Sequence, residues 1–294
     1  MRVHLVDGTF ELFRAHYSKR PPHNSPQGKD LKATLGVVQS LINLLQDAAE
    51  KATHVAVAFD NPITSFRNDL FEGYKTDAGM DPTLRSQFDD VEEAVAALGV
   101  VVWRMKEFEA DDALATAALR FAKDERVEQV RILTPDKDLG QVLAGTRIVQ
   151  VDRIRQKVIT VETLWADKHL RPESIPDFLA LVGDTADGIP GLEGWGEKST
   201  SEVLAAHPHL EDIPDLASKW KTKPRSADKL AAVLAGSRRE ALLYRKLATL
   251  RADVPLKETL EDLEWKGAPK EHWVKWCQAV GSSSLATRPP RFIP

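Results

Sequence analysis

Three carboxylates fall within four residues at Glu109, Asp111 and Asp112, directly ahead of an apolar-periodic segment over residues 113–122. The spacing predicts the first turn of a helix, with Glu109 and Asp112 on one face and Asp111 about 100° round the axis. Capping and the helix dipole favour acids at such a position, but two of the three exceed what a cap needs. More carboxylates stand at the ends of short apolar runs: Asp7 after residues 2–6, Asp60 after 54–59, and Asp136 and Asp138 after 130–134. Asp184 and Asp187 open a stretch with five glycines in fourteen residues, 183–196. Nine carboxylates cannot all stay ionised in one cleft without cations, because like charges a few ångströms apart raise each other's pKa. Oxygen-only donors select hard ions, magnesium or manganese rather than zinc, and none of the eight histidines nor Cys277 lies in these motifs. Such ions equip a protein for in-line displacement at phosphorus. The missing histidine argues against a Ser/His or Cys/His hydrolase.

The elements that must carry these groups alternate. Apolar strand-like runs at 2–6, 54–60, 99–103 and 130–134 are separated by segments of helical periodicity at 31–49, 82–98 and 113–122. This pattern predicts an α/β fold whose parallel strands bring their acids to the carboxyl edge, where open α/β sheets hold ligands. Residues 61–80 are polar and read as a helix and loop outside the sheet, and 147–152 with 157–161 as a hairpin at its edge. From 161 onward the chain reads as helical: 172–182, then the glycine-rich stretch, a helix through Leu204, a basic helix over 224–252 and an amphipathic one over 271–279. The glycine-rich stretch follows a helix rather than a strand, so it fits neither a Walker loop nor the dinucleotide fingerprint. Exposed backbone N–H groups at the next helix N-terminus, beside Lys198, suit a phosphate; a plain helix connector is the alternative.

Composition sets the outer bounds. The chain has 294 residues, 43% of them hydrophobic and 29% charged, with a net charge of −4. Its length predicts one larger domain plus a smaller lobe. No apolar run approaches bilayer length and no signal peptide opens the sequence, so a cytoplasmic protein without a membrane partner is expected. The single cysteine, Cys277, sits in a helical apolar context and reads as a packed thiol. The acidic total disfavours a nucleic-acid partner only superficially: without the nine candidate ligands the balance of −4 becomes +5.

Five motifs in order give the sequence a wider resemblance. They are Asp7-Gly8 with Phe13-Arg14-Ala15; Ala58-Phe59-Asp60 with Phe66-Arg67 and Tyr74-Lys75; Glu109-Ala110-Asp111-Asp112; Thr134-Pro135-Asp136-Lys137-Asp138 with Gln141; and Gly183-Asp184 with Asp187 before Ile189-Pro190-Gly191. Over residues 1–255 the chain resembles the bacterial 5' nuclease family, the flap endonucleases and 5'-3' exonucleases that include the N-terminal domain of DNA polymerase I. The resemblance implies a PIN-like, mainly parallel sheet with helices on both faces over 1–170, and a helical arch at about 61–90. A helical DNA-binding lobe follows over 171–280, with a helix-three-turn-helix at about 172–205; residues 281–294 are expected to form a flexible tail.

The same resemblance implies two or more magnesium or manganese ions held by Asp7, Asp60, Glu109, Asp111, Asp112, Asp136, Asp138, Asp184 and Asp187. It also implies a potassium ion at the glycine-rich turn. Lys75 and Arg67 would act on the scissile phosphate, and Arg14, Tyr74, Gly191, Gly194, Gly196 and Lys198 would meet DNA. Two departures stand out: Ala78 replaces a second basic residue of the arch, and Gly188 stands where an asparagine is usual. The expectation is a stand-alone monomeric 5' nuclease acting on flaps and branched or nicked duplex near the nucleoid, in replication or repair. An RNA-cleaving nuclease on the same kind of sheet would not need the glycine-rich turn, and a non-catalytic DNA-structure-binding protein would leave the carboxylates unexplained.

Overall fold

A computed structural model describes all 294 residues. In chain order the first elements are β1 (Arg2–Asp7), α1 (Gly8–His16), α2 (Lys32–Gln46), β2 (His54–Asp60), α3 (Phe66–Leu70), α4 (Pro82–Arg85), α5 (Phe88–Ala97), β3 (Val101–Met105), α6 (Ala110–Phe121) and β4 (Gln129–Leu133). They are followed by β5 (Ile148–Asp152), β6 (Lys157–Ile159), α7 (Val161–Lys168), α8 (Ile175–Val182), α9 (Glu197–Ala206), α10 (Ala227–Gly236), α11 (Arg238–Ala248), β7 (Ala268–Pro269), α12 (Lys270–Ala279) and β8 (Phe292–Ile293). The chain forms two compact units: Met1–Ile63, Asp77–Thr134 and Ala252–Pro294 make the first, Thr64–Thr76 and Pro135–Arg251 the second. No helix is long and apolar enough to cross a membrane.

The first unit is built on the parallel strands β1, β2, β3 and β4. β1 lies between β2 and β4, with Leu5 opposite both Ala56 and Ile132, and β2 carries β3 on its other side. Every residue of β2 is buried, as expected of a parallel strand covered on both faces. Helices α1 and α2 pack on one another, and α6 lies against all four strands. The expected single helix over 82–98 is two, α4 and α5, parted at Ser86 and Gln87. The break has a use: the buried Gln87 side-chain oxygen accepts from the N–H groups of Ala33 and Thr34 at 3.1 and 3.0 Å. It thereby caps α2, whose own N-cap, Leu31, has no side chain for the task.

Residues beyond Ala252 return to this unit. Leu263 O accepts from Val55 N at 2.9 Å, Trp265 Nε1 donates to Leu98 O at 2.9 Å, and Trp103 Nε1 donates to Glu258 Oε2 at 2.9 Å. The tail expected to be flexible over 281–294 is instead packed. Leu285 O accepts from Trp273 Nε1 at 3.1 Å, Arg288 O from Gln46 Nε2 at 2.8 Å, and β8 pairs with β7. The reason is chemical: the segment carries Leu285, Phe292 and Ile293, and the Arg291 guanidinium lies 5.5 Å from the Trp265 ring centre. Cys277 is buried and its thiol is pushed up to about 11 by that burial, as a packed rather than reactive group requires.

The second unit is helical around one apolar core that includes Phe178, Leu179, Leu181, Trp195, Val203, Leu204, Trp220, Leu230, Leu234 and Leu247. β5 and β6 form an antiparallel hairpin with Val151 opposite Val158. α8, the glycine-rich turn and α9 occupy the stretch expected to form the helix-three-turn-helix, and α11 packs along α8. The basic helix expected over 224–252 is divided by Ser237 into α10 and α11. Asp177 of α8, buried, accepts from Arg245 Nη1 of α11 at 3.0 Å and from Leu210 N at 3.1 Å, which fixes α8 and α11 to each other. Residues 135–170 belong with the helices, because the hairpin and α7 bury Leu164 and Leu170 in the helical core.

Candidate active site

In the first unit, Asp7 and Asp60 sit at the carboxyl ends of the neighbouring strands β1 and β2, as the alternation of elements predicts. Asp7 is the N-cap of α1: its Oδ1 accepts from Phe10 N at 2.8 Å and its Oδ2 from the Thr134 hydroxyl at 2.9 Å. Gly8 follows because α1 starts hard against β2, where a Cβ would lie 2.5 Å from the Phe59 ring and 2.7 Å from Ala58 O. Asp60 Oδ1 accepts from Ala110 N at 2.6 Å, so the first turn of α6 faces the end of β2. Glu109 is the N-cap of α6 and Asp112 its third residue; Asp112 Oδ2 accepts from Glu109 N at 3.0 Å. Asp112 is fully buried in that task, so the capping reading applies to it, while Asp111 is half-buried on the next face of the helix.

In the second unit four carboxylates come together with two lysines. Asp136 starts a short 3-10 turn over Lys137–Val142, its Oδ1 accepting from Asp138 N at 2.9 Å. Asp138 is 5% exposed, and its Oδ1 has no hydrogen-bond partner. Burial first, then the charges of Asp136, Asp187 and Asp184, drive its pKa well above the ordinary carboxylate value. Asp184 and Ile189 exchange two backbone hydrogen bonds of 2.8 Å, closing the loop that begins the glycine-rich turn. Lys137 Nζ donates to Asp184 Oδ2 at 2.6 Å. Burial works to lower the pKa of Lys137, yet the Asp184 hydrogen bond and the nearby Asp138 and Asp136 carry it above the ordinary lysine value. Lys75 Nζ pairs with Asp187 Oδ1 at 2.9 Å, and Lys75 N donates to Asp187 O at 3.0 Å. Within neither unit do three carboxylate, histidine or cysteine groups already stand as a ready-made metal-ligand set. Lys75 and Lys137 hold Asp187 and Asp184 instead, while Asp138 Oδ1 is left without a partner.

Several expected site residues do other work. Arg67 is 1% exposed: its Nε donates to Leu247 O at 2.7 Å and its Nη2 to Thr249 O at 3.0 Å. It is therefore corrected from a phosphate-facing cation to a cap on the carbonyl end of α11. Gln141 joins it there, donating to Ala248 O at 2.8 Å and accepting from Leu250 N at 3.2 Å. Tyr74, expected near terminal bases, is 3% exposed in the helical core, with its hydroxyl 3.3 Å from Asp187 Oδ2. Arg14 is tied to Glu11 and to Ser40 Oγ, the latter at 3.2 Å.

Gly191 and Gly194 take positive φ of 70° and 80° within the turn, and Gly196 is the N-cap of α9. Lys198 is exposed and lines an open cleft with Gly194, Gly196 and Ser199. Arg225, from the loop before α10, lines the same cleft. It was missed in the sequence because nothing in its Lys- and Pro-containing context singles it out; its place follows only from tertiary folding.

Strand-end carboxylates on a parallel sheet, followed by helices joined through a glycine-rich turn, define a resolvase-like domain with a SAM-like helical lobe. Residues 2–169 match the family of the 5'-3' exonuclease, N-terminal resolvase-like domain, and residues 170–271 that of the 5'-3' exonuclease, C-terminal SAM fold. The chain belongs to the 5'-3' exonuclease family. It is 32% identical to DNA polymerase I of Bacillus caldotenax over 287 residues, 96% of this chain and 31% of that protein. To the thermostable DNA polymerase I of Thermus thermophilus it is 36% identical over 263 residues, 88% of this chain and 30% of that protein. It thus spans about a third of the length of these relatives. Among solved structures, T5 5'-exonuclease with bound divalent metal ions (zinc) superposes with a TM-score of 0.64 at 18% identity, covering 84% of this chain and 89% of that one. The catalytic core of Rad2 in complex with DNA substrate gives 0.61 at 16% identity, covering 97% and 90%. These two likenesses are of fold.

Proposed function

We propose that this chain is a divalent-metal-dependent 5' nuclease that hydrolyses phosphodiester bonds in DNA with a free 5' end, as an exonuclease, a flap endonuclease or both. The observation that carries the reading is the gathering of Asp136, Asp138, Asp184 and Asp187 with Lys75 and Lys137, around a buried Asp138 oxygen that has no partner. A buried, unpartnered carboxylate oxygen among like charges is costly to the fold and suits a cation. The donor set is all oxygen, so it fits magnesium or manganese better than zinc. In the first unit Asp7, Asp60, Glu109 and Asp111 offer the same chemistry, and in the second Asp136, Asp138, Asp184 and Asp187. When bound, such ions lower the pKa of water and stabilise the leaving oxygen.

The chain's own residues supply the remaining steps. Water attacks phosphorus, the bond from phosphorus to the 3' oxygen breaks, and the product keeps a 5'-phosphate. Lys75, once Asp187 is neutralised otherwise, offers its ammonium to the charge developing on the phosphoryl oxygens. The cleft of Gly194, Gly196, Lys198 and Arg225 would bind a duplex backbone phosphate through N–H groups and two cations, and a potassium ion at the turn would be held by its backbone oxygens. We place this activity in the cytoplasm, on nucleoid DNA during replication or repair, with the protein acting as a monomer. The relatives support the reading: the Rad2 core is described with DNA substrate and T5 5'-exonuclease with divalent ions. The test is cleavage of a 5'-labelled flap and of the same DNA as a blunt duplex, with magnesium and with chelator. Metal-dependent release of the flap or of mononucleotides is expected; retained binding without cleavage would overturn the proposal.

A further inference from the structure

We propose that Gly188 and Gly73 act together as a positioning contact that seats Lys75 on the acidic turn. Gly188 has φ of 75°, and a Cβ there would lie 2.1 Å from Gly73 O and 3.6 Å from Lys75 N. The positive φ alone does not demand glycine, since asparagine tolerates that region. The close approach does. Neither side of the contact can readily yield. The loop of Gly188 is closed by the paired backbone hydrogen bonds of Asp184 and Ile189, and Ile189 is buried in the helical core. Opposite it, Tyr74 N donates to Phe71 O at 3.1 Å, Asn68 Nδ2 donates to Lys75 O at 3.0 Å, and Tyr74 is itself buried. With both backbones so close, Lys75 N reaches Asp187 O and Lys75 Nζ reaches Asp187 Oδ1.

The contact has a functional consequence that rests on the role proposed above for Lys75. Lys75 is the only cation among residues 74–78, where Ala78 and Asp77 follow it. Catalysis by this segment therefore depends on one ammonium being held in one place. Ordinary contact for a Cβ begins at 3.4 Å, so any side chain at 188 must lift residues 73–75 by about 1.3 Å or distort the turn. A displacement of about 1 Å at a reacting group costs up to about 100-fold in rate.

The test measures single-turnover cleavage of a labelled 5' flap, affinity for the same DNA in chelator, hydrogen exchange of the Lys75 amide, and melting temperature. It compares the wild type with Gly188→Ala, Gly188→Asn, Lys75→Ala and the double variant Gly188→Ala/Lys75→Ala. Gly188→Ala and Gly188→Asn should cut the rate by about 10- to 100-fold, leave DNA affinity within about two-fold, and speed exchange of the Lys75 amide. In the double variant the Gly188→Ala effect should vanish, because there is no longer an ammonium to misplace. Should Gly188→Ala fail to fold, Asn68→Ala releases the same segment from its other side and enters the same cycle with Lys75→Ala. Full activity in Gly188→Ala, or additive losses in either double variant, would overturn the inference. An inactive wild type would instead count against the proposed nuclease activity itself.

Discussion

Replacing Arg67 by alanine separates a structural from a catalytic guanidinium. The last carbonyls of a helix lack intrahelical donors, and here Arg67 covers those of Leu247 and Thr249 while Gln141 covers Ala248. A hydrogen bond from a charged donor contributes about 1.5–3 kcal/mol, and each buried carbonyl left bare incurs a desolvation penalty of similar size. Two such bonds, with the packed stem of the side chain, put the loss at about 3–5 kcal/mol. For a chain of this size that is roughly a 10 °C fall in melting temperature, taking about 2–4 °C per kcal/mol. Gln141→Ala, which loses neutral bonds, should cost only about 1–2 kcal/mol, and Arg67→Lys should recover part of the loss. The assay is thermal unfolding by circular dichroism, paired with flap cleavage well below the transition. Cleavage should survive wherever the variant is folded. A melting temperature within about 2 °C of wild type together with a large loss of cleavage would refute the capping role and return Arg67 to the substrate.

Three further outcomes are expected. Asp136→Ala should abolish cleavage while leaving DNA binding in chelator intact, read by gel shift and labelled product. Lys198→Ala should weaken binding to all duplexes alike and reduce the slope of log affinity against log salt by about one. The third concerns acid. Glu50 is held at about 2, first by its hydrogen bond to His4 and, against the cost of its burial, by Arg131. His4 itself is kept below its ordinary value of 6.5, chiefly by burial. A folded pKa below the unfolded one means stability present at neutral pH and lost on acidification: from about 6.5 downward for His4, and between 4.5 and about 2 for Glu50. The Glu50 shift corresponds to about 3 kcal/mol, discounted to about 1–2 kcal/mol for its partial exposure. Urea midpoints at pH 7, 5 and 3.5 should fall steadily in the wild type, and Glu50→Gln should flatten the lower part of that fall.

What the sequence reveals, and what it hides, follows from the range of each interaction. β1, β2 and β4 are legible because short aliphatic runs followed by Asp need only local pattern, and so are the acids Asp7, Asp60, Asp136 and Asp138 at their ends. The excess of acids before α6 is only partly a matter of chemistry, since Asp112 is consumed by the cap. Arg67 misleads for a different reason. The family resemblance implies a phosphate-facing role for it, while its acceptors are backbone carbonyls 180 and 182 positions away that no side-chain type announces. Tyr74 is buried by the same long-range packing. The division of the 82–98 helix depends on Gln87 serving a helix that ends some forty residues earlier in the chain. The order of the final residues rests on scattered apolar and aromatic partners rather than on any periodic run.

The return of residues 252–294 to the first unit sets an order on synthesis. Val55, Leu98 and Trp103 find the hydrogen-bond partners supplied by Leu263, Trp265 and Glu258 only more than 150 positions later. A ribosome that has released residues 1–134 has delivered strands β1 to β4, but not the segment that returns to them. During the translation of residues 135–251 the sheet stands with those backbone and indole groups open, while the helical unit, apart from its 64–76 strand of chain, is made in one run. The sheet that carries Asp7 and Asp60 is thus begun before the helical unit and completed after it.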